Sequence, residues 1–302
     1  MDYKKRKKRG PYPKAWDLRK LKKEIKTPQT LSPSFKLAFQ DEDFLHREEL
    51  RPIRVQLEMI KPELILEEHN IESTVVFFGS SRILPPEVAK ERLEKAKKKL
   101  SERPDDPLVK KEFERAQRNL KNSRFYEEAR KLAYLIASNT SDKELIITTG
   151  GGPGIMEAAN RGAHEAGAPS IGFNILIPRE QKPNSYITPE LCFQFHYFAV
   201  RKMHFLFRAK ALIVFPGGFG TLDELFETLT LMQTKKIKKI PLLLFGKEYW
   251  QKVINFSFLV EENMISPEDI NLFYFVETAE HAWEILKREI KFNNNENDVQ
   301  SS

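Results

Sequence analysis

Residues 211–224 read Ala-Leu-Ile-Val-Phe-Pro-Gly-Gly-Phe-Gly-Thr-Leu-Asp-Glu, an apolar run followed by a turn with three glycines. The apolar run predicts a buried strand, and Thr221 is the predicted first residue of a helix. Such a turn leaves backbone N–H groups at the positive end of a helix dipole, which favours a bound phosphate. The carboxylate of Glu224 follows one turn into the helix. The stretch therefore predicts chemistry on a phosphorylated small molecule.

Strands and helices alternate on both sides of this stretch. Several of the predicted strands are almost wholly apolar, as in a parallel sheet that is buried on both faces. The predicted strands are 74–78, 145–148, 170–174, 191–197, 212–215, 242–245 and 272–275, and helices are predicted between them. This order predicts an α/β fold: a doubly wound, mostly parallel sheet with helices on both faces.

The chain is divided by composition into four segments. Residues 1–43 form a basic tail that is expected to be flexible, and residues 44–73 a helical extension in which Pro52 and Pro62 are expected to break the helix. Residues 74–290 form the α/β domain. Within this domain, the sequence of residues 85–122 predicts a charged helical hairpin inserted after the first strand. The hairpin is expected to project from the domain and to serve in self-association. Residues 291–302 form a polar tail.

Composition excludes several classes of protein. The single cysteine, Cys192, permits no internal disulfide, which favours a reducing, cytoplasmic setting. No run of about 18 apolar residues is present, so no membrane span is expected. Residues 1–26 hold twelve Lys and Arg against three acidic residues, so the remaining chain has a net charge of −2. The basic character thus belongs to the tail, and a solvated tail is favoured over nucleic-acid binding.

Two further glycine-rich turns follow predicted strands, at Gly79-Ser80-Ser81 and at residues 150–154. The carboxyl ends of parallel strands meet at one edge of a sheet, so the three turns predict a concave, anion-binding edge. The 150–156 segment lacks the Gly-x-Gly-x-x-Gly spacing of dinucleotide sites, and no Gly-Lys-Ser/Thr follows it. A nicotinamide cofactor and an ATPase are therefore disfavoured.

The charged residues near the turn each allow two interpretations. Thr221 and Glu224 match a capping box, in which Glu224 would only cap its own helix. Arg201 and Lys202 are predicted near the start of a helix, where cations oppose the dipole, so they are expected to face an anion or a carboxylate unless they are simply solvated. His196 and His204 lack a third ligand at metal spacing, which predicts surface or aromatic-core histidines and no metal site.

Taken together, these segments resemble the Lonely guy family, nucleotide phosphoribohydrolases that activate cytokinins and were long labelled lysine decarboxylases. The resemblance covers residues 74–290 apart from the hairpin. It is carried by 78–81, 149–160, 177–184, Arg201-Lys202 and 216–224, the last two matching an Arg-Lys pair and Pro-Gly-Gly-x-Gly-Thr-x-x-Glu. The sequence Gly-Pro-Gly-Ile-Met-Glu and the amino-terminal extension resemble the longer bacterial branch.

The resemblance implies a Rossmann-like fold that hydrolyses the N-glycosidic bond of a nucleoside 5′-monophosphate, AMP or an N6-modified AMP, without a cofactor. It also implies a homodimer or larger homo-oligomer. Arg201 and Glu224 match the catalytic pair. The implied substrate-binding residues are Gly79, Ser80, Gly151, Gly152, Glu180, Lys202, Gly217, Gly218, Gly220, Thr221 and Thr230.

Other functions remain open from the sequence. A nucleotide-binding or carrier protein could use the same scaffold without hydrolysis. A lysine decarboxylase would need a Schiff-base lysine, for which Lys202 and Lys210 are the nearest candidates, although neither lies in a recognisable cofactor context. A nucleic-acid-binding protein would depend on the basic tail. The base of the substrate stays undetermined.

Overall fold

The computed structural model describes residues 26–140, 145–178 and 182–299, with side chains as far as Ile290. The basic run Lys4 to Arg9 therefore lies outside the described residues. The chain divides into two compact units, Met1–Arg54 and Val55–Ser302. No helix within the described ranges is both long enough and apolar enough to cross a bilayer.

The first unit contains short helical segments. Helix α1 (Pro28–Leu31) begins after Thr27, which forms a capping box with Thr30, and α2 (Glu42–Leu45) begins after Asp41. Helix α3 runs without interruption over Arg51–Glu68, through both prolines. The expected helix breaks are therefore wrong. Pro52 lies in the first turn, where no backbone N–H is needed, and the buried Pro62 costs the helix only one hydrogen bond.

The second unit carries α3 from Val55 onward, the sheet and the remaining helices. Its strands are β1 (Thr74–Phe78), β2 (Ile146–Thr149), β3 (Ser170–Ile175), β4 (Cys192–Phe195), β5 (Ala209–Val214), β6 (Leu242–Phe245) and β7 (Tyr274–Val276). Its helices are α4 (Pro86–Glu102), α5 (Pro107–Asn122), α6 (Arg124–Asn139), α7 (Ile155–Glu165), α8 (Phe198–Phe207), α9 (Phe219–Gln233), α10 (Lys247–Val253), α11 (Phe256–Glu261) and α12 (Ala279–Val299).

All seven strands are parallel, in the order β4-β3-β2-β1-β5-β6-β7. Strand β1 lies at the centre, with Val76 opposite Thr148 of β2 and Leu212 of β5. Strands β2, β3 and β4 are added one after another on one side of β1. The chain then crosses over, and β5, β6 and β7 are added on the other side of β1. This confirms the predicted doubly wound, Rossmann-like fold, and it places a topological switch point between β1 and β5. In such sheets ligands bind at this crevice, beyond the carboxyl ends of the strands.

Helices cover both faces of the sheet. Successive side chains of β1 point to opposite faces: Val75 and Phe77 belong to a core cluster with α6, α7 and α12, and Val76 and Phe78 to a second cluster with α3, α8, α9 and α10. The two clusters explain why the strands read as continuous apolar runs, since neither face is exposed to water.

Three helix boundaries differ from the sequence prediction. The single helix predicted between β6 and β7 is two helices, because the side chain of Asn255 accepts a hydrogen bond from Phe258 N–H (3.1 Å) and starts α11. Helix α12 continues to Val299, past the predicted boundary at 290. Helix α9 begins at Phe219, two residues before Thr221. The charged segment 85–122 contains the helices α4 and α5, which pack against each other.

Candidate active site

A cavity of about 700 Å³ opens at the switch point between β1 and β5. Its walls come from 79–82 after β1, from 217–222 and Glu224, from Arg201 and Phe205 of α8, and from Tyr249 of α10. Of the predicted site residues, the structure brings together Gly79, Ser80, Arg201, Gly217, Gly218, Gly220, Thr221 and Glu224 around this cavity.

The start of α9 rules out the capping box. Gly218 is the N-cap residue and no side chain caps the helix, so Thr221 is the third residue of α9 and not its cap. The Gly218 carbonyl accepts hydrogen bonds from Thr221 and Leu222 N–H, both at 3.0 Å. The first N–H groups of a helix have no acceptor within it. Phe219 and Gly220 therefore present such groups at the cavity, where the helix dipole is positive.

The glycines of the turn serve two different purposes. A Cβ on Gly217 would lie 2.1 Å from the hydroxyl oxygen of Thr221, so only glycine allows this close approach. The Gly217 carbonyl also accepts a hydrogen bond from the hydroxyl of Tyr249. At Gly218 and Gly220, by contrast, an added Cβ would meet no atom within 4 Å. These two glycines leave the backbone open on the cavity side.

Arg201 and Glu224 face each other in the cavity. The Nη2 atom of Arg201 lies 4.0 Å from Oε1 of Glu224, and the two side chains are only 14% and 8% exposed. The guanidinium lies over the rings of Phe198 and Phe205, at 5.0 and 5.5 Å from their centroids. The separation is longer than a hydrogen bond, so the pair leaves polar atoms available to a ligand.

Burial changes the acid–base properties of this pair. It raises the pKa of Glu224 to about 7, although the nearby charges of Lys202 and Arg201 act in the opposite direction. Burial also lowers the pKa of Arg201, against the effect of Glu224. A carboxylate with a pKa near neutrality is suited to proton transfer at physiological pH.

Lys202 lies outside the cavity wall. Its ammonium group forms ion pairs with Asp223 (2.8 Å) and Glu227 (2.9 Å), both on α9. The expectation that the cation faces carboxylates is met, and Lys202 joins α8 to α9 beside the catalytic candidates. Its positive charge lowers the pKa of Glu224 through electrostatic attraction, without an ion pair between the two groups.

Gly151 and Gly152 hold a neighbouring loop in place. Their carbonyls accept hydrogen bonds from the side-chain amide of Asn184, at 3.2 and 3.1 Å. That amide also donates to Oδ1 of the fully buried Asn160 (3.0 Å). Gly151 has φ +74°, and a Cβ there would lie 2.3 Å from the Asn174 amide. Gly150, and not these two glycines, lines the cavity.

The other predicted residues lie elsewhere. The hydroxyl of Thr230 donates to the Phe226 carbonyl within α9 (2.7 Å), and Thr230 lines a separate hollow. Glu180 lies outside the described residues. His204 is a core histidine, as predicted: it packs against Phe173 and Phe195, and burial lowers its pKa.

Among the residues of the cavity wall that the sequence analysis did not single out are Arg82, Phe205 and Tyr249. Arg82 could have been found as the cation directly after the turn Gly79-Ser80-Ser81, where its backbone N–H donates a hydrogen bond to the Ser80 hydroxyl (3.1 Å). Tyr249 gives no local signal, because α10 brings it to the cavity from a distant part of the chain.

Comparisons with known proteins agree with this geometry. Residues 156–286 match the family described as "Possible lysine decarboxylase". The chain is similar to cytokinin riboside 5′-monophosphate phosphoribohydrolase LOG3 of Arabidopsis thaliana, with 30% identity over 47% of this chain and 65% of the relative. LOG4 of the same plant is 28% identical, over 53% of this chain and 76% of the relative.

The chain thus spans less than two thirds (65%) of the length of LOG3. Among solved structures, the molybdenum cofactor carrier protein of Chlamydomonas reinhardtii covers 73% of this chain and 99% of its own, with 16% identity and a TM-score of 0.41. The matched family model, the named relatives and the signature residues around the cavity all support the resemblance of this chain to the Lonely guy family.

Proposed function

We propose that this protein hydrolyses the N-glycosidic bond of a nucleoside 5′-monophosphate, releasing the free base and ribose 5-phosphate. One observation carries the proposal: the ion pair of Arg201 and Glu224 lies in the same cavity as the open backbone of Gly218 and Gly220. An anion seat and a carboxylate of raised pKa are the two elements that hydrolysis of a phosphorylated sugar requires.

The start of α9 is the proposed binding site of the 5′-phosphate. The N–H groups of Phe219 and Gly220 and the helix dipole favour a negative group there, and the absence of side chains at Gly218 and Gly220 lets it approach. Binding the phosphate, which does not react, supplies energy that orients the ribose toward Glu224.

Glu224 is the proposed general base. Cleavage of a glycosidic bond passes through an oxocarbenium-like state, which a carboxylate stabilises while it deprotonates a water molecule. Burial makes Glu224 a stronger base than an exposed glutamate, because it raises the pKa to about 7. At neutral pH a large share of the molecules still carry the ionised form that the reaction needs.

Arg201 is proposed to stabilise the negative charge that develops on the departing base. Its guanidinium is half enclosed by Phe198 and Phe205, which limits its motion and excludes water from one side. A fixed cation in such a setting stabilises a developing charge more than a solvated one does. Its pairing with Glu224 also holds both groups over the same space.

Decarboxylation of lysine is disfavoured by the cavity wall. A pyridoxal phosphate enzyme needs a lysine amine at the reacting centre. No lysine lines the cavity among the residues that the structure describes, and Lys202 is engaged by Asp223 and Glu227. The label of the matched family is therefore a poor guide to the reaction of this chain.

The substrate is proposed to be AMP or an N6-modified AMP. The named relatives LOG3 and LOG4 act on cytokinin riboside 5′-monophosphates according to their names. We further propose a homodimer, in which a second copy covers the exposed apolar residues of α8 and α9 beside the cavity, namely Phe198, Met203, Phe207 and Phe226.

The test is incubation with AMP, its N6-isopentenyl derivative and the other nucleoside monophosphates, followed by chromatography of the free base. We expect Glu224→Gln and Arg201→Ala each to lower kcat at least about 100-fold, which is a usual size for acid–base and charge-stabilising groups. The control is Glu190→Gln, an exposed carboxylate away from the cavity, which should keep full activity.

Two results would contradict this assignment. Near wild-type turnover in either cavity variant would remove that residue from the catalytic role. Tight binding of AMP without release of adenine would instead support the nucleotide carrier, which shares the anion seat and does not need the reactive carboxylate.

A further inference from the structure

A second hollow, of about 1230 Å³, lies between the hairpin helices α4 and α5 and the turn after β1. We call it the hairpin groove. Ala96 of α4 and Ala116 of α5 line it and are both buried. Their small side chains leave space between the longer residues at the rim. The groove and the candidate active site share Ser81 and Arg82 as wall residues, so the turn after β1 separates the two.

The hairpin groove is strongly basic. Its wall holds the cations Arg82, Arg92, Lys95, Lys98, Lys99 and Arg115, against the carboxylates of Glu102 and Glu112. Lys99 pairs with Glu112 at 2.8 Å, and Lys95 pairs with Glu91, which is not part of the wall. The other four cations form no ion pair with any residue that the structure describes.

The free protein offsets only part of this charge, through the ion pairs of Lys95 and Lys99. Arg92, Lys95 and Lys99 follow one another at intervals of three and four residues, so they lie on one face of α4. Like charges at these spacings destabilise a helix, and Arg115 of α5 adds a further cation across the groove. Residues 27–302 have a net charge of −2, so the groove does not merely reflect a basic domain.

We propose that the hairpin groove binds the oligophosphate group of a small anionic ligand, such as the triphosphate chain of a nucleotide. Arginine forks match phosphate oxygens in geometry, and the groove brings Arg82, Arg92 and Arg115 to one hollow. The volume suits a nucleotide, and the cations converge on one hollow. A nucleic-acid strand is instead bound by a charged groove that follows its backbone.

The position of the groove couples it to the candidate active site. Arg82 belongs to both walls, and its backbone N–H bonds the hydroxyl of Ser80, which also lines the active-site cavity. The Ser80 carbonyl in turn accepts a hydrogen bond from Ile155 N–H at the start of α7 (3.2 Å). A ligand that binds Arg82 in the groove therefore acts on the turn that forms one wall of the active site.

The test is isothermal titration of the full chain with tripolyphosphate, ATP and AMP at low and at moderate salt. The variant Arg92→Gln/Lys98→Gln/Arg115→Gln removes three cations from the groove. A matched control, Lys90→Gln/Lys97→Gln/Lys111→Gln, removes three exposed cations from the same two helices outside the groove wall. Glutamine keeps the helix propensity close to that of lysine and arginine, and circular dichroism checks the fold of both.

We expect tripolyphosphate to bind the groove variant at least about tenfold more weakly than the wild type, and the control within about twofold. Affinity should fall as salt rises, since exposed charges are screened. Equal affinities for tripolyphosphate and ATP would identify the phosphate chain as the group that is bound. Tighter binding of ATP than of tripolyphosphate would show that the nucleoside also contributes to binding. Both outcomes support the proposal.

Three outcomes would overturn it: no binding of either compound at about 1 mM in low salt, equal losses in the groove variant and the control, or tighter binding of a single-stranded RNA with the same dependence on the groove. The readout is binding and not turnover. A failure of the hydrolase assignment would therefore leave this test intact.

Discussion

At the scale of single residues, the segment 217–220, which leads into the first turn of α9, contains one glycine that the fold needs and two that it does not. Gly217 allows the close approach of Thr221, whereas Gly218 and Gly220 face open space. Glycine within a helix costs stability relative to alanine. Gly220 lies inside α9, so its presence there is best explained by a ligand that must approach the backbone.

Gly220→Ala is therefore expected to separate binding from stability. Alanine should raise the stability of α9 by up to about 1 kcal/mol, while its methyl group obstructs the phosphate and raises KM for AMP about tenfold or more. Thermal unfolding and steady-state kinetics measure the two effects. Gly217→Ala is the contrasting variant: it should lower Tm, because its Cβ would overlap Thr221. An unchanged KM in Gly220→Ala would place the phosphate elsewhere.

The raised pKa of Glu224 predicts the pH dependence of the reaction. The reaction needs the ionised carboxylate, so kcat/KM should rise with pH through an apparent pKa of about 7. The positive charge of Lys202 lowers the pKa of Glu224. Lys202→Met should therefore raise that pKa and move the acidic limb of the profile to higher pH.

The matched variant is Lys202→Arg, which keeps the positive charge. It should leave the pH at which kcat/KM rises nearly unchanged. The measurement is kcat/KM from pH 5.5 to about 9 for the three proteins. If all three profiles coincide, a group other than Glu224 titrates in the reaction, the substrate phosphate being the first alternative.

The sequence predicts the parts of the site that depend on local pattern. A strand, a glycine turn and a carboxylate one helical turn later are neighbours in the chain, so Gly217 to Glu224 could be identified without the fold. The exact start of α9 could not, because a glycine N-cap gives no side-chain signal and Thr221 offers a more familiar cap. Tyr249 was missed because a separate element, α10, brings it to the cavity.

At the scale of elements, α8 is the helix whose position decides the geometry of the catalytic pair. It carries Arg201, and α3 holds its amino-terminal end. The carboxylate of Glu58 accepts hydrogen bonds from the backbone N–H groups of His196 (2.9 Å) and Tyr197 (3.1 Å), immediately before the helix. A carboxylate at this end also interacts favourably with the helix dipole. This contact between distant segments was not predicted from the sequence.

Glu58→Ala is expected to lower the free energy of unfolding by about 1–3 kcal/mol, since two hydrogen bonds to a charged group are lost. It should also lower kcat, because the end of α8 becomes free to move and carries Arg201 with it. Urea unfolding and AMP turnover measure both. Glu67→Ala removes an exposed carboxylate from the same helix and should change stability by less than about 0.5 kcal/mol. Equal effects of the two substitutions would rule out a specific role for the cap.

At the scale of the whole molecule, the order of elements was predictable because each strand of a doubly wound sheet is a short apolar run between two helices. The crossover from β4 back to β5 follows from this order, and it fixes the place of the cavity. The surfaces that remain exposed are less predictable. The hairpin was expected to serve self-association, yet α8 and α9 expose more large apolar side chains beside the cavity, among them Phe198, Met203 and Phe207.

Light scattering can distinguish these two surfaces. If a second copy covers α8 and α9, the wild type should have twice the chain mass of 35.3 kDa in light scattering, and Met203→Asp/Phe207→Asp should reduce it to one chain, because buried carboxylates without partners are costly at an interface. The comparison is Leu108→Asp on the hairpin, whose leucine is 76% exposed. It should leave the mass unchanged. Loss of the dimer only with Leu108→Asp would instead assign self-association to the hairpin. Because α8 carries Arg201, the monomeric variant is also expected to lose turnover, whereas Leu108→Asp should keep it.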